Sequence, residues 1–304
     1  MKKLPCGACA VLIATFLIAG LVACGEQPAT PENNLNEAAS AQQTSPPAPT
    51  PPFESEPEQA QVDLHPAYIT ILGERFSTSL TGLSLDGPLT NEDIAPLRYM
   101  TELTQLTVGT MDPFNHITDL SPLVGLANLE VLFFTGDYLS DISALSGLEN
   151  LTNVHIFRTQ VADISALAGL ANLGILQLAA SQITDITPLA KLTNLHSLDL
   201  SWNQIADITP LAGLTNLHSL NLAENQITDI TALAGLANSG RSNLASLFLS
   251  NNQISDLSAL AGLVSLEHLW LNGNPITDFT AVAHVENIIF EMQQSWGLIL
   301  QQVP

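Results

Sequence analysis

One period governs most of this chain, and it is 22 residues long. Leucines recur at Leu80, Leu103, Leu129, Leu151, Leu173, Leu195, Leu217, Leu244 and Leu266, mostly in steps of 22. Each unit follows L-x-x-L-x-L-x-x-N-x-I-x-D-I-x-x-L-x-x-L-x-x. The unit at Leu195 shows it cleanly, with Leu198, Leu200, Asn203, Ile205, Asp207, Ile208, Leu211 and Leu214. One such unit cannot cover its own leucine row, so copies must stack and bury a continuous core between them. Leu198 and Leu200 are two apart, the spacing of one strand face, and Ser197, Asp199 and Ser201 then point the other way. Ile205, Ile208, Leu211 and Leu214 are three apart, which fits tight turns and 3-10 segments rather than a long helix. Nine parallel strands at about 4.8 Å make a ladder of roughly 40 Å.

The L-x-x-L-x-L-x-x-N signature resembles the leucine-rich-repeat family. The 22-residue length and the DI-x-x-L-x-x-L tail resemble its internalin-type subclass. The resemblance implies a leucine-rich-repeat solenoid: a curved right-handed coil, a parallel β-sheet on the concave face, and short 3-10 or irregular convex segments. About nine repeats fill residues 80–285, with an N-terminal cap at 64–79 and a C-terminal cap at 286–304.

Two polar slots recur. The ninth reads Asp137, Thr159, Ser181, Asn203, Asn225, Asn252 and Asn274 from the third unit on. The resemblance implies that an Asn here turns inward to bond neighbouring loops. The other slot is Asp93, Asp119, Asp141, Asp163, Asp185, Asp207, Asp229, Asp256 and Asp278. A Ser or Thr usually stands two residues later, followed by Pro at Pro122, Pro188 and Pro210. Ser/Thr then Pro reads as the N-cap and first residue of a helical turn, with the Asp closing an Asx-type turn before it. A calcium-binding row is the alternative, but metal sites need several oxygens converging on one point.

The N-terminus carries a different message. Lys2 and Lys3 precede an apolar run of about 15 residues, the n- and h-regions of a secretion signal and short for a membrane span of roughly 20. Leu21-Val22-Ala23-Cys24 resembles the lipobox of bacterial lipoproteins. That implies a signal peptide at 1–23, lipid on Cys24, and loss of Cys6 and Cys9 with the leader. Residues 24–63 are rich in Pro, Gln, Glu and Ser and bury too little to fold, so they read as a disordered tether. The sequence has 29 acidic against 7 basic residues. That excess argues against nucleic acid and against electrostatic adhesion to anionic lipid. Membrane attachment is expected through the lipid alone, and the protein as a monomer outside the cytoplasm.

Candidate site residues lie in the variable slots. The third, fifth and seventh positions should face the concave side, where most residues are small and polar. Rings collect in two places: Phe133, His155 and Phe157 towards the front, Phe248, His268 and Trp270 towards the back, with Trp202 between. Exposed rings of this kind tend to mark binding sites, and Trp is a common anchor. The plainer alternative is that they pack on each other across strands. No catalytic signature is present: no G-x-S-x-G, H-E-x-x-H, phosphate loop or Cys/His pair. His196 and His218 repeat one unit apart and read as repetition rather than a metal site. The expectation is a binding protein, with no enzyme activity, cofactor or metal. Its partner is a protein of a host or of the bacterial envelope, with a glycan as the alternative. Insertions near 109–116 and 238–243 read as surface loops.

Overall fold

The structure is a computed structural model and describes residues 65–109, 115–237 and 243–290. The leader, Cys24 and the tether lie outside these residues, as do the centres of both insertions and the end of the C-terminal cap, 291–304.

Ten strands form one parallel sheet in chain order. They are β3 (Gly82–Leu85), β4 (Gln105–Val108), β5 (Val131–Thr135), β6 (Asn153–Phe157), β7 (Ile175–Gln177), β8 (Ser197–Asp199), β9 (Ser219–Asn221), β10 (Ser246–Phe248), β11 (His268–Trp270) and β12 (Asn287–Ile289). Register follows the repeat slot for slot: Leu176 pairs with Leu198, and Leu198 with Leu220. The tenth strand, β12, comes from the segment expected to act only as a cap, and pairs His268 with Asn287. At the other end β1 (Tyr68–Ile71) and β2 (Glu74–Ser77) form an antiparallel hairpin. Its turn is Leu72-Gly73, both with positive φ (50° and 82°), the two-residue primed turn that matches strand twist. Ile69 and Ile71 are buried and join the same core as the leucine rows.

Burial alternates along the repeat strands, and the inward set is nearly pure Leu, Ile and Val. Each fully buried side chain of this kind contributes about 1.5–3 kcal/mol. The return arm is a run of short 3-10 turns, such as Thr209–Gly213. Its three-residue apolar spacing now has a backbone cause. Leu211 N–H donates to Ile208 O (3.0 Å), Leu214 N–H to Leu211 O (3.0 Å) and Leu217 N–H to Leu214 O (3.1 Å). Each of these buried residues therefore also anchors the next turn.

The recurring Asp opens that arm. Asp119, Asp141, Asp163, Asp185, Asp207, Asp229, Asp256 and Asp278 each accept the backbone N–H two residues on, at 2.7–2.8 Å. The Ser/Thr is not the N-cap expected of it. It is the first 3-10 residue, an apolar residue precedes it in the cap slot, and Pro is second. The Asp side chain takes the N–H of that Ser/Thr, the first orphan donor of the turn. Asp93 departs from the row. It closes a capping box with Thr90 at the single α-turn among the described residues, α1 (Asn91–Ile94).

The ninth slot holds the coils together. Asn203 donates to Leu178 O (2.9 Å), Leu200 O (3.0 Å) and Ser201 O (3.2 Å) and accepts from Ile183 N–H (3.0 Å). Asn225 and Asn252 repeat this full set. Asn274 repeats most of it. Nearer the start, Thr159 and Ser181 instead bond each other (2.8 Å). Asn115 supplies the second unit's member, reaching Thr135 O and accepting from Leu89 N–H.

Candidate partner-binding face

The side of the sheet away from the core is lined by the variable slots, and these residues are half-buried rather than covered. In units five to nine the strand stops at the fifth slot, while β5 and β6 run on to the seventh. Units six and seven add side-chain bonds just past that point. Asp199 Oδ1 takes Ser201 N–H (2.9 Å) and Oγ–H (2.7 Å), and Asn221 Oδ1 takes Ala223 N–H (3.1 Å). The bonds between neighbouring coils continue past the strand ends, Leu200 N–H to Asn221 O (2.9 Å) and Trp202 N–H to Ala223 O (3.0 Å). Ser201, expected on the open face, is buried.

The ring residues assemble into two groups. Phe133, His155 and Phe157 have mutual centroid distances of 5.9, 5.7 and 6.3 Å. His155 Nδ1 lies 2.8 Å from Gln177 Oε1, which ties the group to the next strand. At the other end Phe248 stacks on Trp270, 4.0 Å apart and 12° from parallel, with His268 beside Trp270 at 5.9 Å. Aromatic pairs of this kind favour rigid, pre-formed surfaces and are worth about 0.5–1.5 kcal/mol each. Ring-on-ring packing and exposure therefore coexist here.

Trp202 joins neither group among the described residues. It occupies the eighth slot, past the end of β8, with φ 59°. Arg158, Ala180, Glu224 and Asn251 share that slot and its left-handed backbone, at φ 54–57°. The turn points each of these side chains off the strand row, which leaves Trp202 55% exposed. Arg158 in the same slot sits 3.6 Å from Asp137.

Among the described residues no three His, Cys, Asp or Glu side chains converge as a metal site. A shallow hollow lies among Thr228, Asp229, Asp256 and Ser258, on the arm side. On the exposed arm, backbone and side-chain donors from Ser143 and Ser165 hold Asp141 and Asp163 below the ordinary range. Asp199 is the exception. Burial on the strand face pushes its carboxyl up, against the pull of Ser201 and Asn221.

One set of residues escaped the sequence reading. Asn128, Asn150, Asn172, Asn194, Asn216 and Asn243, each just before the first Leu of a unit, donate to a carbonyl of the preceding coil at 2.8–3.1 Å. The signal was present as a repeated Asn-Leu pair, but an exposed Asn does not announce a structural bond.

Comparison with known proteins agrees with this architecture. A family profile described as Leucine Rich repeats (2 copies) matches residues 193–235 and 242–284. No curated protein matches the sequence. Among solved structures, the internalin inlF from Listeria monocytogenes is 33% identical over 72% of this chain and 70% of its own, with a TM-score of 0.57. Internalin C2 from the same species is 35% identical over 68% of this chain and 86% of its own, with a TM-score of 0.55. The leucine-rich-repeat ectodomain of an Arabidopsis thaliana membrane receptor kinase, GASSHO1/SCHENGEN3, was solved in complex with CASPARIAN STRIP INTEGRITY FACTOR 2. It matches at 23% identity over 68% of this chain and 26% of its own, TM-score 0.56, a likeness of fold alone. With slot-for-slot register, an inward Asn ladder and that level of identity to the two internalins, the chain belongs to the internalin-like leucine-rich-repeat proteins.

Proposed function

We propose that this is a surface protein, lipid-anchored at Cys24, that binds another protein through the concave face of its repeat domain. It acts by contact and not as an enzyme. One observation carries the reading: two ring groups, Phe133/His155/Phe157 and Phe248/His268/Trp270, stand on a strand face whose other side chains are mostly small and polar. The repeat needs no ring in those slots, since units five to seven do without them. Desolvating stacked rings against a partner buries apolar area that packing has left half open. Membership of the internalin-like group supports adhesion or recognition of a host surface as the setting. Residues 24–63 would act as the spacer that holds the domain off the membrane.

The test is capture by the immobilised full chain, from host extracts and from the bacterial envelope in separate arms. A partner recovered by the wild type should be lost with Trp270→Ala and with Phe157→Ala; recovery unchanged by either refutes the face. Which arm yields it decides between host recognition and envelope assembly. Palmitate labelling that survives Cys24→Ser would refute the anchor.

A further inference from the structure

The open strand face is organised around its centre in a way that neither the repeat nor packing requires. Along the middle row, paired residues on successive strands read Phe133, His155, Gln177, Asp199, Asn221, Phe248 and Trp270. Rings close both ends, amides come next, and one carboxylate stands in the middle. Asp199 is two strands from β6, which carries His155 and Phe157, and two strands from β10, which carries Phe248. At about 4.8 Å per strand the ring groups face each other across roughly 19 Å, with the carboxylate near 10 Å from each. The nearby slots hold Ile175, Ala179, Ser197, Ser219 and Ala223, mostly small residues, with the ring groups beyond them on either side.

The turn beneath Asp199 does not need its charge. Oδ1 of an amide would accept the N–H and O–H of Ser201 equally well, and Asn221 does so for Ala223 N–H one repeat on. The single ion pair among the described residues is Arg158 with Asp137, so none of these cations neutralises Asp199. A half-buried charge without a counter-ion costs stability unless something arrives to pair with it. Burial also holds this carboxyl above its ordinary range. The net charge of −22 draws cationic partners toward every part of the surface, this trough included.

We propose that the trough takes a basic protein segment that seats a lysine or arginine on Asp199 while flanking apolar side chains meet the ring groups on β6 and β10. This rests on the concave-face reading above and gives that partner its chemistry. A neutral or acidic partner would leave the carboxylate desolvated and without a counter-ion, so the same residue selects against it.

Selection of a random 12-residue peptide library on the full chain tests this even while the natural partner is unidentified. Enriched peptides should carry a Lys or Arg with aromatic or aliphatic residues on both sides. Their affinity should fall at least tenfold with Asp199→Asn, a variant that keeps the Ser201 bonds, and should also fall with Phe157→Ala and Trp270→Ala. Enriched peptides that depend on Phe157 and Trp270 but lack a basic residue, or bind Asp199→Asn as tightly, overturn this inference and leave the concave-face reading standing. Peptides indifferent to all three variants overturn both. A library that yields no binder of this pattern also counts against the inference.

Discussion

At the scale of single residues, identical letters do opposite work according to where the coil places them. The Asp of the arm accepts a backbone N–H in the open, whereas Asp199 accepts one on the strand face. Their pH signatures should differ in sign. For Asp141, Asp163, Asp185, Asp207, Asp229 and Asp278 the folded carboxyl sits below the ordinary 3.8. Their contribution is present above that value and is lost as pH falls through the depressed range. The melting temperature should therefore drop as pH falls below about 4; a flat profile there would deny the Asx role. For Asp199 the folded carboxyl lies higher than the unfolded one. Its stabilising share is complete only at low pH and is lost as pH rises through the folded value. Asp199→Asn should thus be more stable than the wild type at about pH 7, with the gain vanishing on acidification. Both Asp roles were hard to separate in the sequence. A turn position is readable from D-I-S/T-P, but the burial of a fifth-slot carboxylate depends on the neighbours that adjacent coils supply.

The Asn ladder tests the same scale through packing. Asn203→Ala removes a buried acceptor and donor pair and takes the side-chain partner from Leu178 O and Ile183 N–H, while Leu200 O and Ser201 O keep bonds from Asn225 and Ala180 N–H. A loss of about 1–3 kcal/mol is expected in chemical denaturation. The next residue, Gln204, is exposed, so Gln204→Ala should cost little and serves as the control.

At the scale of elements, the strands and turns were largely written in the spacing. Leucines two apart became strands, and apolar residues three apart became 3-10 turns whose N–H groups bond three residues back. What spacing did not reveal is where a strand ends. The fifth-slot residue differs at each early stop, Gln177, Asp199, Asn221, Phe248 and Trp270, so no single letter marks it. Nor did spacing separate glycines that share a slot. Gly213 and Gly235 occupy equivalent places on adjacent arms, yet a Cβ on Gly213 would meet nothing within 4 Å, and one on Gly235 would lie 2.5 Å from the Ala212 carbonyl oxygen. Gly235→Ala should cost about 1–3 kcal/mol by overpacking. Gly213→Ala should be close to neutral, and thermal melts of the pair make each the control for the other.

For the repeat domain as a whole, architecture and the proposed recognition are carried by different letters. The repeated ones build the sheet, the arm and both Asn ladders, and they were legible because the same demand recurs in every coil. The changing ones sit on the open face. The sequence could list Phe157 and Trp270 as outward-facing. It could not show that rings two slots or one strand apart fuse into two groups, or that Trp202 leaves the row on a left-handed turn. The decisive measurement is a double variant, Phe157→Ser with Trp270→Ser, assayed for stability and for binding to the captured partner. Its melting temperature should stay within a few degrees of the wild type, since neither residue belongs to the leucine core, while binding falls by roughly a hundredfold or more, the loss of two aromatic anchors. Full binding by a well-folded double variant would place recognition elsewhere on the molecule.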